Sequence, residues 1–485
     1  MTSSVFFPKL SPTAESTTFQ SGDTLRLSIF GRTHLDRSSR YRRSFDWRIG
    51  YGDRSSQIAS TAFARLSTSE YPELLEDMLE LTRKRRKNRT VIAKLQMWLL
   101  EELLVQEGAV RHYRLKGQEL KGVLEEEGTS EPDKNRLTKD LEFIEEQIFF
   151  HRAYSNCIRI IGDGIAWRSL GYDRIVMRSL GEAPTKQHVL AEGTMTELRE
   201  WALNFDTGKG LAILNSLTNC LAIGDVTVIR DDGSAEIVEV KEGKTKSSRI
   251  VRQKQKMRET VNLLATGAGV SDDKFVEVEH LDITPENGLN ELAELLEASE
   301  KTGWAAKRIS NCCYVECVDF ARVDSPEALG KSLDAARKKQ TEEWSQRSDK
   351  VLHSSSLNIL SYSPNCAPFS VFPLRSKLCV DLMVGAKSYA VYLNLNAVQR
   401  EWEYRGWRVK RSFEEQIAAK DEDAMLIVQK DGYEVQIPPA EIMRVWMELI
   451  RPTVMIKQCE IDHRRGPRRE RFSYVVYDGE PSIWD

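Results

Sequence analysis

A chain of 485 residues, 41% apolar and 29% charged, has the make-up of an ordinary folded protein with room for two to four domains. Its formal net charge of −3 excludes a basic nucleic-acid coat and an acidic solvating chain, so any electrostatic role has to be local. No apolar run approaches the roughly 18 residues of a membrane span. The opening MTSSVFFPKLSPTAES lacks a basic segment leading into an apolar one, so a cytoplasmic protein without a membrane partner is expected.

The first sixty or so residues hold only short strand-like pieces, TLRLSIF and FDWRIGY. From about Glu70 to Ser155 apolar residues recur three and four apart, which predicts long helices in YPELLEDMLELTRK, VIAKLQMWLLEELLVQEG and RLTKDLEFIEEQIFFHRAYSNCIRII. The polar stretch EEEGTSEPDKN (Glu125–Asn135) breaks them. Residues 1–155 are therefore expected to form a helical arm or bundle, a candidate surface for self-association or for a partner protein. Residues 156–300 read as a mixed α/β unit. TMTELREWALNF is a helix with Thr194 and Glu197 at capping-box spacing, and GLAILNSLTN reads as a second helix. Two apolar strands, a basic helix, the strand KFVEVEHLDI and the acidic helix of PENGLNELAELLEASEKTG follow. Residues 301–485 read as a separate α/β domain. Its strands are NCCYVECVDF, LCVDLMV, SYAVYLNL, AMLIVQK and YEVQI, and its helix is AEIMRVWMELI.

Several chemistries find no support. Of the eight cysteines only CCYVEC (Cys312, Cys313, Cys317) is clustered, without C-x-x-C spacing and inside a strand-like run, so buried thiols are expected there rather than zinc. The seven histidines are dispersed. FDTGKGLAIL has Gly-Lys but no P-loop spacing, and neither GxSxG nor HExxH occurs. RKRRKNR and HRRGPRRER read as solvated loops.

The informative stretch is LAIGDVTVIRDDGSAEIVEVK, Leu221 to Lys241. Two runs of β-branched residues joined by Asp-Asp-Gly make a hairpin. A two-residue loop at Asp232-Gly233 would put Asp225 opposite Val240. A three-residue loop over Asp231, Asp232 and Gly233, with the glycine left-handed, pairs Arg230 with Ser234 and so sets Asp225 opposite Glu239. In that second register Asp225, Glu239 and Lys241 share one face, and the valines take the other. Carboxylates about 5 Å apart across a ladder repel unless a cation lies between them, and oxygen ligands of this kind suit Mg²⁺, with Mn²⁺ able to substitute. Lys241 would then position a water for attack on phosphorus. The next segment, KEGKTKSSRIVRQKQKMR, carries eight Lys or Arg against one Glu. Arg249, Arg252 and Lys256 fall on one helical stripe, as docking of a polyanion backbone requires.

These residues, GDV followed by EVK, resemble the PD-(D/E)xK phosphodiesterase superfamily, whose domain is the restriction-endonuclease-like fold. The resemblance covers about residues 160–285. It implies that Asp225 and Glu239 ligate Mg²⁺ with help from the carbonyl of Val240, and that Lys241 activates the water. Gln253, with Gln255 second, matches the glutamine that often follows the motif, and Glu197 or Glu200 matches the acid many members carry on an earlier helix. Gly224 replaces the motif proline, and Met257 stands where the RecB-like subgroup has tyrosine, which argues against that subgroup. The expected protein is thus an Mg²⁺-dependent endonuclease, acting on DNA sooner than RNA, with flanks like those of prokaryotic restriction or antiphage-defence effectors. Two alternatives stay open. One is an inactive nuclease-like module that binds nucleic acid or a partner protein, the other an assembly protein built on the helical region.

Overall fold

The computed structural model describes residues 54–84, 88–126, 130–172, 174, 177, 180, 194–206, 210–221, 223–230, 235–238, 240, 268–271, 274–281, 286–347, 349, 351–356, 366–413, 415, 426–437, 439–465 and 472–477. The strand-like pieces expected before residue 54 and the basic helix of 241–258 lie outside them.

Two polar caps start the longest elements. Asn88 accepts a hydrogen bond from the Val91 N–H at 3.1 Å, and Ser130 accepts from that of Asp133 at 3.3 Å, each satisfying a donor the helix leaves open. The helices they open, which we number α3 (Arg89–Glu125) and α4 (Glu131–Ser169), pack on each other either side of the expected polar break. The shorter α1 (Arg54–Thr68) and α2 (Tyr71–Lys84) lie against α4. Helix α4 passes residue 155 without a break. Its last turns are buried on every side from residue 160 to 167, Ile161, Ile165 and Trp167 among them, which places them inside a core rather than on an arm. One hydrophobic cluster runs from Ala62 to Cys459, so the helices and the sheets bury each other.

The fold is mixed α/β, with small sheets. Strands β1 (Leu211–Leu214), β2 (Val226–Ile229) and β3 (Ala235–Val238) form an antiparallel sheet in that order, against α5 (Thr194–Asp206). In a second sheet β4 (Ala268–Ser271) runs antiparallel to β5 (Lys274–Leu281), and β13 (Phe472–Tyr477) pairs parallel to β5 from the far end of the chain. Helix α6 (Leu289–Thr302) leads into β6 (Trp304–Arg308) and the wholly buried β7 (Cys313–Asp319). With β8 (Val351–Ser355) and β9 (Lys387–Asn394) these make an antiparallel sheet, order β6-β7-β9-β8, and α7 (Pro326–Gln346) packs on it. Helices α8 (Ser376–Met383) and α9 (Leu395–Tyr404) flank β9. Strands β10 (Arg408–Arg411), β11 (Leu426–Lys430) and β12 (Tyr433–Ile437) form the last sheet, before α10 (Pro439–Met447) and α11 (Pro452–Arg465). Among the described residues no helix is long and apolar enough to cross a membrane. All eight cysteines are free and buried.

Three elements differ from their sequence reading. GLAILNSL is not a helix: it is β1 followed by a 3-10 turn over Asn215–Leu217. Backbone pairing decides it. One edge of β1 bonds β2, and on the other the side-chain amide of Gln96 in α3 donates to the Ala212 carbonyl and accepts from the Leu214 N–H, both at 2.9 Å. The Trp201 indole of α5 donates to the same carbonyl at 2.9 Å. LCVDLMV is helix α8 rather than a strand, a short apolar run whose period cannot distinguish the two when all sides are buried. Of the two hairpin strands, whose β-branched residues suggest interior positions for both, β2 is interior, whereas β3 is the outer strand of its sheet among the described residues, with Glu236 exposed and paired to Arg230.

Candidate metal and catalytic site

The hairpin register is the one a three-residue loop imposes. Val226 faces Val238, Thr227 faces Ile237, Val228 faces Glu236 and Ile229 faces Ala235. Asp225 stands just before β2, and its N–H donates to the Val238 carbonyl at 2.9 Å. One of its carboxylate oxygens, Oδ2, accepts the Val240 N–H at 2.7 Å, so the acid is tied to both ends of the opposing segment. Only 5% of Asp225 is exposed.

The approach to Asp225 is built by its neighbours. Gly224 has φ +73°, and a Cβ there would sit 2.3 Å from Ile237 Cγ2, so backbone conformation and space both demand glycine. Asn215, in the turn after β1, donates through Nδ2 to the carbonyls of Ile223 (2.9 Å) and Gly224 (3.2 Å). Its Oδ1 accepts from Thr227 Oγ1 at 2.9 Å, and its N–H donates to the Asp225 carbonyl at 3.0 Å. One residue therefore fixes the backbone leading into the acid, the acid's own carbonyl and the Thr227 side chain beyond it.

A second carboxylate comes from α5. Glu197 is 8% exposed, and its carboxyl is pushed up to about 7, first by burial and then by the charge of Asp225. The capping-box position read from the sequence is thus occupied by a side chain close enough to Asp225 to feel it. Glu200, one turn on, is held within its own helix, where Asn204 Nδ2 donates to its carboxylate at 3.0 Å. Of the sequence-derived site residues, Asp225 and Val240 are described and adjacent. Glu239, Lys241, Gln253, Gln255, Arg249, Arg252 and Lys256 lie outside the described residues. Among the described residues no three His, Cys, Asp or Glu side chains converge as a metal centre.

The pair that is described fits a hard cation. Two buried carboxyls within reach of each other's field, one of them held partly protonated near neutral pH, are what a divalent ion would discharge. Sequence reading missed two supporting groups, Asn215 and Asp163. Asp163, fully buried in α4, accepts from the Asn219 N–H (2.6 Å), Asn219 Nδ2 (2.8 Å) and the Cys220 N–H (2.9 Å), fastening the segment that leads into β2. Burial pushes its carboxyl up, against the pull of those donors. Its signal was present as two glycines, 162 and 164, inside one helix. A Cβ at Gly162 would lie 2.1 Å from the Leu217 carbonyl oxygen, so the helix and the turn meet there in backbone contact.

No protein-family model matches the chain, and no curated protein or solved structure matches it.

Proposed function

We propose that the chain is a Mg²⁺-dependent nuclease that hydrolyses phosphodiester bonds of nucleic acid, DNA sooner than RNA, with a restriction-endonuclease-like central domain and a role in defence against foreign nucleic acid. The observation that supports this most is the buried pairing of Glu197 with Asp225 at the open end of the β2–β3 hairpin. Like charges buried together cost stability, and the hydrogen bond that Asp225 takes from the Val240 N–H does not account for a second acid beside it. In this reading Asp225 and Glu239 hold the metal with the Val240 carbonyl. When bound, Mg²⁺ supplies charge neutralisation at the scissile phosphate. Lys241 orients the attacking water and Gln253 helps to position it, while Arg249, Arg252 and Lys256 take the flanking phosphates.

One observation favours a second reading, a nuclease-like module that binds without cutting. The Val240 N–H on Asp225 Oδ2 gives that carboxylate a purely structural use, closing the hairpin. A cleavage assay on supercoiled, linear and single-stranded DNA and on RNA, with Mg²⁺, Mn²⁺ or EDTA, separates the two. Metal-dependent cutting that Asp225→Asn and Glu239→Ala both lose is the expected result. Nucleic-acid binding that ignores both substitutions, with no cutting by the parent, would overturn the nuclease reading.

A further inference from the structure

Away from the carboxylates, an open cavity of about 430 Å³ lies between the C-terminal end of α7, the turn after β6, and α9. That volume suits a small organic ligand. Three arginines line it, and their commitments differ. Arg308 is spent on the protein: it pairs with Glu343, donates to the carbonyls of Ser310 (3.1 Å) and Asn311 (2.9 Å), and lies over the Trp344 ring at 5.3 Å. Arg400 grips both oxygens of Asp349 at 3.0 and 2.7 Å. Arg347, exposed just past the end of α7, has no ion pair among the described residues. Beside them Tyr404, the last residue of α9, is 89% exposed, the largest value for any large apolar side chain among the described residues. Glu401, one turn earlier on α9, lines the same cavity.

We propose that this cavity binds a nucleoside phosphate. An exposed guanidinium without an ion pair among the described residues, its charge felt by Asp349 but the contact with that carboxylate taken by Arg400, is a docking point for one anionic group. An aromatic face left in water, on the rim of a cavity, offers a stacking platform for a flat ring. The carboxylate of Glu401 disfavours a bare anion and needs donors, which the amino groups of a base or the hydroxyls of a sugar supply. The phosphate therefore pairs with Arg347, the base covers Tyr404, and its sugar or amino groups donate to Glu401. Neither metal nor cleavage chemistry enters this assignment, so it stands apart from the nuclease reading.

Calorimetric titration of the full chain with AMP, GMP, CMP and UMP, and with adenosine and inorganic phosphate as controls, tests it. At least one monophosphate is expected to bind, and adenosine and free phosphate to bind at least ~10-fold more weakly. Arg347→Ala and Tyr404→Ala should each weaken the monophosphate by about 10-fold or more. Both side chains are exposed, so unchanged melting temperatures are expected and certify the fold of each variant. The assignment is overturned if no monophosphate binds at millimolar concentration, if binding survives both substitutions, or if phosphate alone binds as tightly.

Discussion

Two sheets of this molecule each bury a glutamate, and the surroundings could hardly differ more. Glu316 sits in β7, 3% exposed, and receives Arg337 Nε at 2.8 Å, Arg337 Nη2 at 3.0 Å and the Tyr392 hydroxyl at 3.1 Å. The same guanidinium lies over the Tyr392 ring at 4.5 Å, so the cation is held as firmly as the anion. Glu197, in α5 against the β1–β3 sheet, has another carboxylate for a neighbour and is driven toward its neutral form. A buried charge with all its partners supplied by the chain is a strut. One that is buried beside a like charge carries a cost, and in the proposed function that cost is what a bound cation relieves.

Substitutions can break that contrast, and the largest effect falls on chemistry. Asp225→Asn keeps an oxygen to accept the Val240 N–H, so it should leave the hairpin folded while metal-dependent cleavage drops about 100-fold or more, read from initial rates of plasmid nicking. Next comes the strut. Glu316→Ala strips the Tyr392 hydroxyl of its acceptor and leaves Arg337 only its pair with Asp334, and the folded state should lose about 2 kcal/mol in urea unfolding. A loss below 1 kcal/mol would mean that solvent already carries the pair.

Glu197→Gln should act in the opposite direction. The carboxyl titrates near 7 in the folded state against an ordinary 4.5. The folded form therefore holds a proton that the unfolded form has released, and stability falls as pH rises from about 4.5 through 7. The glutamine removes that penalty, so it should stabilise the protein by roughly 2 kcal/mol at pH 8 and by nothing at pH 4, as melting temperatures across the range would show. A flat difference with pH would mean that Glu197 is not held toward its neutral form by burial and the Asp225 charge. The smallest effect is the response of the parent to metal. Mg²⁺ at about five times its Kd should stabilise the fold by ~1 kcal/mol at pH 8 and by less at pH 6, and the combined Asp225→Asn, Glu197→Gln variant should show no shift.

Much of this was legible in the chain itself, for reasons that differ by element. The hairpin was legible in Asp231-Asp232-Gly233 with two registers open, and because a side-chain period of two allows no intermediate answer, the pairing of Ile229 with Ala235 selects the three-residue one. Long helices such as α3 and α4 declared themselves by repeating one pattern over many turns. Strand β1 did not, since four residues cannot show a period, and what makes it a strand is a glutamine more than a hundred positions away. Helix α8 failed for the complementary reason, as its run from Leu378 to Met383 is buried throughout and only Lys377 stands in solvent to mark a turn. Glu197 was seen both as a candidate acid and as a cap, and what the sequence could not show is that it is buried where the charge of Asp225 reaches it. Asp163 and Asn215 bind backbone groups distant in sequence, and no local pattern announces such partners.

The glutamine of α3 carries one more consequence. By engaging the Ala212 carbonyl and the Leu214 N–H together, the amide of Gln96 imitates the peptide group of a neighbouring strand. The β1 margin of the sheet is thereby closed to any extended chain, whether a peptide, another copy of the protein or a misfolded segment. The helical region and the hairpin are thus joined by a plug that ends the sheet at β1.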